Sequence, residues 1–305
     1  MKTPLDKSLI LLKEDASMYR DYEVGGCRFR ADGLPLLGML ARMDGFTPFL
    51  AKGEASPFFH VRYQEQGDVP SGGQVLYSCV GDRMQSVFHA TAGGYRLEME
   101  HESGERLCLW TLPGDATVFL RGALTPQMLR FGLWVGYGLM TVCRHRIAIH
   151  GSCIVKDGKA FLFLGESGTG KSTHTRLWCE YIPGATLLND DSPIVVCEEG
   201  KVWIYGSPWS GKTPCYRAER FPLCGCVRLS QAPSNSMRRL SALQAYAALH
   251  PSCPPMFAYA DALYDGISAT LGLLLPRIPF YHLACRPDGD AAWLSFRTLC
   301  DAAVR

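Results

Sequence analysis

The sequence lacks the features that mark several special classes of protein. Its 305 residues carry a formal net charge of only +2, which argues against binding to nucleic acid or an anionic membrane through bulk charge. The longest apolar runs, at 131–142 and 271–275, are too short to span a membrane. Residues 1–14 contain a short apolar run but no small-residue cleavage site. We therefore expect a cytoplasmic protein with no nucleic-acid partner and no membrane partner.

Metal-binding cysteine spacing is also absent. The thirteen cysteines are an odd number and are scattered along the chain. The closest pair, Cys224 and Cys226, lies in a strand-like run where residues two apart share a face, which is a poor arrangement for zinc. Reduced thiols in a cytoplasmic protein explain the cysteines better.

The pattern of residues 1–124 predicts a β-rich N-terminal domain. Short apolar or alternating runs recur between Gly, Asp and Pro residues, at 27–30, 59–63, 74–79, 85–91, 95–99, 107–111 and 116–120. Strands of that length and spacing indicate an antiparallel meander or sandwich. No residue in this domain indicates a particular chemistry.

The second domain is predicted to run from residue 125 to residue 305 and to open with a helix. Thr125 can cap that helix, and Pro126 suits its first position. Apolar residues follow at helical spacing, while Gly132 and Gly136 would let another element pack closely.

A segment of this domain, residues 165–173, contains the P-loop, or Walker A, pattern G-x-x-x-x-G-K-[ST]. An apolar run at 161–164 predicts a strand before it, and residues 173–182 predict a helix after it. Glycines allow backbone angles that point successive N–H groups at a polyphosphate. We expect the segment to bind ATP, with Lys171 as a catalytic cation at the β and γ phosphates and Ser172 on Mg²⁺. The predicted nucleotide-binding residues are Gly165, Glu166, Ser167, Gly168, Thr169, Gly170, Lys171, Ser172 and Thr173.

His150 precedes this glycine-rich segment. The runs 147–155 and 160–164, joined by Asp157-Gly158, predict a hairpin, so His150 would sit in a strand beside the phosphate site. A histidine at that place can contact a phosphoryl group, whereas a lone histidine in a strand is more often structural. In the helix after the segment, His174 and Arg176 are expected on the surface.

An acidic pair, Asp190 and Asp191, follows Lys171 by about one helix, one turn and one strand. A carboxylate at such a strand end can hold Mg²⁺, and a neighbouring one can accept a proton from an attacking hydroxyl. The alternative is a polar turn, because Asp, Asn, Ser and Pro all favour turns. The nearby glycine-rich segment favours the functional interpretation. A further loop at 206–214, which carries Lys212, could close over a substrate or simply connect two strands.

The segment 147–229 resembles the C-terminal kinase domain of HPr kinase/phosphorylase and, more distantly, the nucleotide-binding half of phosphoenolpyruvate carboxykinase. The resemblance rests on four features in order: His150-Gly151, the segment 165–172, Asp190-Asp191 and Gly206-Ser207-Pro208-Trp209. It implies an α+β protein in which an antiparallel β domain precedes a carboxykinase-type mixed α/β P-loop domain.

The resemblance also implies roles for individual residues. It favours Asp190 as the catalytic base and Asp191, together with Ser172, as the Mg²⁺ ligand. It places His150 at the transferred phosphoryl group or its acceptor. The chain lacks the glycine-rich C-terminal signature that HPr kinase uses in its oligomer and phosphorylase activity. HPr as the acceptor, phosphorolysis and the hexamer therefore stay open, as does a homo-oligomer of another kind.

These features predict a Mg²⁺- and ATP-dependent kinase that transfers a phosphoryl group to a hydroxyl. The acceptor is not specified, and a serine in a protein or peptide and a small molecule are both candidates. The alternative is a non-catalytic ATP sensor, in which ATP orders the loop at 206–214 and the N-terminal domain reads out the change. A carboxykinase reaction is less well supported, because the sequence displays no basic site for oxaloacetate.

Overall fold

The computed structural model describes residues 18–211 and 213–302. These residues form two compact units, divided between Met140 and Thr141. The predictions made for residues 1–14 and for Lys212 lie outside the described residues. Within the described ranges, no helix is both long enough and apolar enough to cross a membrane.

Unit 1 contains a mixed eight-stranded sheet in the order β1-β2-β3-β8-β7-β6-β5-β4. Its strands are β1 (Tyr19–Val24), β2 (Cys27–Asp32), β3 (Phe59–Tyr63), β4 (Gln74–Gly81), β5 (Met84–Ala90), β6 (Tyr95–His101), β7 (Arg106–Thr111) and β8 (Thr117–Gly122). The expected antiparallel arrangement holds for β1–β2 and from β4 to β8. In contrast, β3 runs parallel to both β2 and β8. The connection from β2 to β3 contains a helix, α1 (Leu34–Leu40), and is a crossover rather than a hairpin.

Helix α2 (Pro126–Thr141) packs on a face of this sheet. A Cβ added at Gly136 would lie 2.9 Å from Val118 Cγ1, and one added at Gly132 would lie 3.2 Å from Met99 Cε. The close approach predicted from the glycines is therefore present. Residues 126–140 of the helix belong to unit 1, whereas the division predicted after residue 124 assigns them to the second domain.

Unit 2 contains a mixed nine-stranded sheet, and seven of its strands run in the order β12-β10-β11-β15-β14-β13-β9. Strand β17 pairs with β15, and β16 pairs with β17. The strands are β9 (Arg146–Ala148), β10 (Gly151–Lys156), β11 (Lys159–Leu164), β12 (Thr186–Asp191), β13 (Ile194–Glu198), β14 (Lys201–Tyr205), β15 (Arg220–Gln231), β16 (Ser236–Arg239) and β17 (Phe280–Cys285). The helices are α3 (Lys171–Tyr181), α4 (Ala242–Leu249), α5 (Asp261–Leu274) and α6 (Gly289–Ala302). The two large sheets and their helices make the protein a mixed α/β structure.

The hairpin predicted from Asp157-Gly158 is confirmed. Strands β10 and β11 pair antiparallel as far as Lys156 and Lys159. Both turn residues have positive φ, 49° at Asp157 and 71° at Gly158. A two-residue hairpin of type I′ requires this conformation, which Asp-Gly adopts readily.

The core of unit 2 fixes α3 against the strand that precedes the glycine-rich segment. Residues two apart in a strand share a face, so Phe161 and Phe163 of β11 lie together under α3. Trp178 of α3 is fully buried, with its ring 5.6 Å from Phe161 and 5.5 Å from Phe163. Leu299 of α6 joins the same cluster. The first turn of α3 is thereby held at the end of β11.

His174 is buried, contrary to the surface position expected from the sequence, while Arg176 is exposed as expected and pairs with Glu180. His174 Nε2 lies 3.0 Å from Ser295 Oγ of α6, which also accepts a hydrogen bond from Trp178 Nε1 at 2.8 Å. Burial lowers the pKa of His174 to about 4, so the ring is neutral near pH 7.

This buried ring makes the stability of unit 2 depend on pH. The unfolded chain binds a proton at His174 near pH 6.5, while the folded chain does so only near pH 4. Stability is therefore lost as pH falls through this window, by about 3 kcal/mol from this residue. We expect urea unfolding between pH 7 and pH 4 to show a smaller stability loss in His174→Gln than in the wild type. An equal loss in both proteins would contradict this account.

Candidate functional site

Three strand ends meet at one edge of the unit 2 sheet. Strand β10 runs antiparallel to both of its neighbours, so Gly151 at its start pairs with Leu164 at the end of β11 and with Asp191 at the end of β12. The glycine-rich segment leaves β11 at this edge, and the acidic pair forms the end of β12. His150 lies here too, in a bend just before β10 rather than within a strand, because β9 pairs with β13 and the chain must turn to enter β10.

The glycine-rich segment is a compact turn into α3. Gly168 and Gly170 have φ of 82° and 101°, which side chains disfavour. At Gly165 an added Cβ would lie 2.3 Å from Thr169 Oγ1, so the turn is too tight for a larger residue. The Thr169 hydroxyl closes the turn by donating to the Glu166 carbonyl at 2.8 Å. Helix α3 begins at Lys171 directly after Gly170, which has no side chain to cap it.

Lys171 brings a positive charge to this turn. Its ammonium donates to the Gly165 carbonyl at 2.8 Å and to the Glu166 carbonyl at 3.1 Å. Burial lowers the pKa of Lys171 from its ordinary value; the negative charges of Asp191 and Asp190 oppose that shift, and Arg228 adds to it. Both carboxylates therefore lie within electrostatic reach of the ammonium.

Ser172 is paired with Asp190. The Ser172 hydroxyl donates to Asp190 Oδ1 at 3.0 Å, and Asp190 is only 5% exposed. Asp190 lies opposite Ser152 of β10, and the Ser152 hydroxyl is 3.0 Å from Thr175 Oγ1 of α3. Asp190 is thus directed at the first turn of α3 by its place in the sheet.

Asp191 is paired with His150 instead. Its Oδ1 lies 3.4 Å from His150 Nδ1, and its Oδ2 accepts a hydrogen bond from Ser192 Oγ at 3.2 Å. Both side chains of the His150–Asp191 pair are accessible to solvent, unlike Asp190. The backbone of Asp191 has φ of 148°, a conformation that is rare for any residue except glycine. Strain of this kind at a strand end is typical of functional positions.

The strained strand end is held by Asn189 and the following loop. The buried Asn189 amide donates to the carbonyls of Ser207 and Trp209, and its Oδ1 accepts from the Ser192 amide. The Gly211 amide donates to the Asp190 carbonyl. In its described part, the loop at 206–214 is therefore packed against the acidic strand end and braces it. This bracing role was not predicted from the sequence, where Asn189 was one of several turn-favouring residues.

Two residues of β15, which pairs with β11 on the side away from β10, contact the glycine-rich segment. Arg228 Nη2 lies 3.3 Å from Glu166 Oε1, and Gln231 Nε2 donates to the Gly168 carbonyl at 3.2 Å. Neither contact was predicted from the sequence. An available signal was the single charged residue, Arg228, within the otherwise apolar run 226–229, because charges in buried strands need partners.

The structure brings together Lys171, Ser172, Asp190, Asp191 and His150. The side chains of Glu166 and Ser167 are exposed, and the Glu166 carboxylate faces Arg228. Thr173 lines a cavity beside the segment, together with Gly168, Thr169 and Gly170. Among the residues that the structure describes, no three His, Cys, Asp or Glu side chains form a cluster that could hold a metal ion by themselves.

The strain at Asp191 can be measured by comparing two substitutions there. Asp191→Gly and Asp191→Ala remove the same carboxylate, but only glycine accepts φ of 148° without strain. We expect Asp191→Gly to be more stable than Asp191→Ala by about 1 kcal/mol in urea unfolding. If the alanine variant is equally or more stable, the backbone at this position is not strained.

Comparisons with known proteins find similarity among solved structures. No family model matches the chain, and no curated protein matches it. Among solved structures, the chain is similar to the Hpr(Ser) kinase/phosphatase from Coxiella burnetii, with 13% sequence identity and a TM-score of 0.29. The match covers 50% of this chain and 88% of that one. A TM-score of this size establishes neither a shared fold nor a shared activity, so the site is assigned from the contacts described above.

Proposed function

We propose that unit 2 is a Mg²⁺- and ATP-dependent phosphotransferase that acts on a hydroxyl group. The observation that carries the proposal is the meeting of three strand ends, which gathers a glycine-rich turn, a lysine, two carboxylates and a histidine. Phosphoryl transfer requires these parts: a phosphate cradle, a cation, a metal ligand and a base.

The turn suits a polyphosphate. Gly168 and Gly170 adopt positive φ although a Cβ at either position would meet nothing within 4 Å, so their conformation rather than space calls for glycine. Such conformations turn backbone N–H groups toward an anion. The first turn of α3 adds amide donors and the positive end of the helix dipole. Lys171 supplies the nearby charge.

The Ser172–Asp190 pair suits Mg²⁺. A hydroxyl oxygen and a carboxylate oxygen 3.0 Å apart are hard donors, which Mg²⁺ prefers. Mg²⁺ usually takes one or two protein oxygens and fills its other positions with water and substrate phosphates. The small number of protein donors therefore agrees with this ion. Bound Mg²⁺ and ATP would supply the phosphoryl group and the charge that neutralises it.

The His150–Asp191 pair suits the acceptor side. Asp191 is accessible, whereas Asp190 is 5% exposed and already bonded to Ser172. We assign Asp191 as the base that accepts the proton of the acceptor hydroxyl, with His150 beside it at the acceptor or the transferred group. The contacts thus favour the opposite division of roles between the two aspartates from that implied by the family resemblance.

Single substitutions distinguish the two carboxylates. We expect Asp190→Asn and Ser172→Ala to raise the Mg²⁺ concentration for half-maximal γ-phosphate transfer or release from ATP by about tenfold or more. Asp191→Asn should leave that concentration near the wild-type value and lower the maximal rate by about 10²- to 10⁴-fold, because a base contributes to the barrier rather than to affinity.

Exposed Asp261 at the start of α5 offers a control, and Asp261→Asn should change neither quantity. Wild-type turnover in Asp191→Asn would refute its role as the base. If Asp190→Asn instead lowers the maximal rate and leaves the Mg²⁺ dependence unchanged, Asp190 rather than Asp191 is the base.

A further inference from the structure

Strand β4 lies at one end of the unit 1 sheet. Among the described strands only β5 pairs with it, and no isolated bridge of the described chain joins its outer side. A strand at such an edge presents a row of backbone N–H and C=O groups that can pair with another chain. Many proteins keep their edge strands very short, whereas β4, with eight residues, is the longest of the eight described strands in this sheet.

The opposite edge of the sheet, β1, is protected in two ways. It carries charged residues, among them Asp21 and Glu23, which oppose pairing with a further strand. A segment of the same unit also covers it, because Leu50 forms a bridge with Tyr22 and the Ala51 amide donates to the Asp21 carbonyl at 2.9 Å. Unit 1 therefore has features that block edge-to-edge pairing at β1.

Strand β4 has less of this protection. Its sequence, Gln74–Gly81, contains no charged residue and no proline. A bulge between Val75 and Tyr77 disturbs the first part of the strand, which leaves 77–81 as its regular part. Val80, within that part, is 79% exposed, although valine is a strand-forming residue that proteins usually bury. The outer edge of this part is therefore regular, uncharged and not covered by any described strand.

The side chains of the regular part suit antiparallel pairing with a second copy of the same strand. Ser78 and Val80 are exposed on the open face of the sheet, while Cys79, between them, lies opposite the buried Ser86 and so on the other face. With Cys79 at the centre of the pairing, Ser78 would lie opposite Val80 of the partner subunit. Residues of each face then meet residues of the same face, so both faces of the sheet continue across the pair.

We propose that β4 pairs antiparallel with β4 of a second copy of this chain, about a two-fold axis at Cys79, and joins two unit 1 sheets into one. A second copy fits this edge because the strand has no charge, so self-pairing places no like charges opposite each other. The contact is the same for both copies, so it closes as a dimer and covers both β4 edges. The inference concerns unit 1 and does not rest on the phosphotransferase function proposed for unit 2.

The register provides a charge test by sedimentation velocity of the full chain over a concentration series. The wild type should form a dimer of twice the 33.7 kDa chain mass. Ser78→Lys/Val80→Lys places like charges opposite each other at two symmetric positions and should raise the dimer dissociation constant by about tenfold or more. Ser78→Lys/Val80→Glu places opposite charges there and should retain the dimer. Leu243 on α4, 80% exposed, is the control, and Leu243→Lys should leave the dissociation constant unchanged.

Both double variants change only exposed side chains, and unchanged circular dichroism spectra would show that they are folded. Equal dissociation constants for the two double variants would overturn the proposal, because the dimer contact would then lie elsewhere. A wild type that is monomeric at every concentration would also overturn it, and would leave the β4 edge to a different segment or partner.

Discussion

The candidate site depends on the placement of β10 between β11 and β12. Because β10 runs antiparallel to both, its first residue must meet the last residues of its neighbours. The glycine-rich segment, the acidic pair and His150 are separated in sequence, yet these two pairings bring them to the same edge. The Asp157-Gly158 turn sets the register of β10 against β11, and with it the position of Gly151 opposite Leu164.

Packing around that edge holds the first turn of α3 and the end of β12 in fixed positions. Trp178 and the buried His174 lock α3 to β11 and α6, so the first turn of the helix cannot drift from the strand end. Asn189 and the loop after β14 hold the end of β12 and maintain Asp191 in its unfavourable backbone conformation. Backbone strain at Asp191 thus lowers the stability of unit 2, and the same conformation fixes the direction of the Asp191 carboxylate. Such strain is common at sites where geometry matters for chemistry.

Local patterns in the sequence predicted most strands, the hairpin and the proximity of the glycine-rich segment to the acidic pair. They could not predict pairings between distant strands, such as the parallel pairing of β3, because alternation shows which residues share a face but not which strand lies alongside. His174 was wrongly predicted to lie on the surface, because Ser295, its partner in the buried core, is distant in sequence. The bracing by Asn189 and the contact of Arg228 with Glu166 likewise depend on tertiary structure.

The most direct test of phosphoryl transfer at this edge is incubation of the full chain with Mg²⁺ and γ-labelled ATP in cell lysate, followed by mass spectrometry of labelled species. The account predicts a new phosphorylated hydroxyl compound or protein with the wild type and with Lys201→Ala, a control at an exposed lysine on β14. It predicts none above background with Lys171→Ala. Labelling that survives Lys171→Ala, or a wild type that neither transfers nor hydrolyses the γ-phosphate, would contradict it.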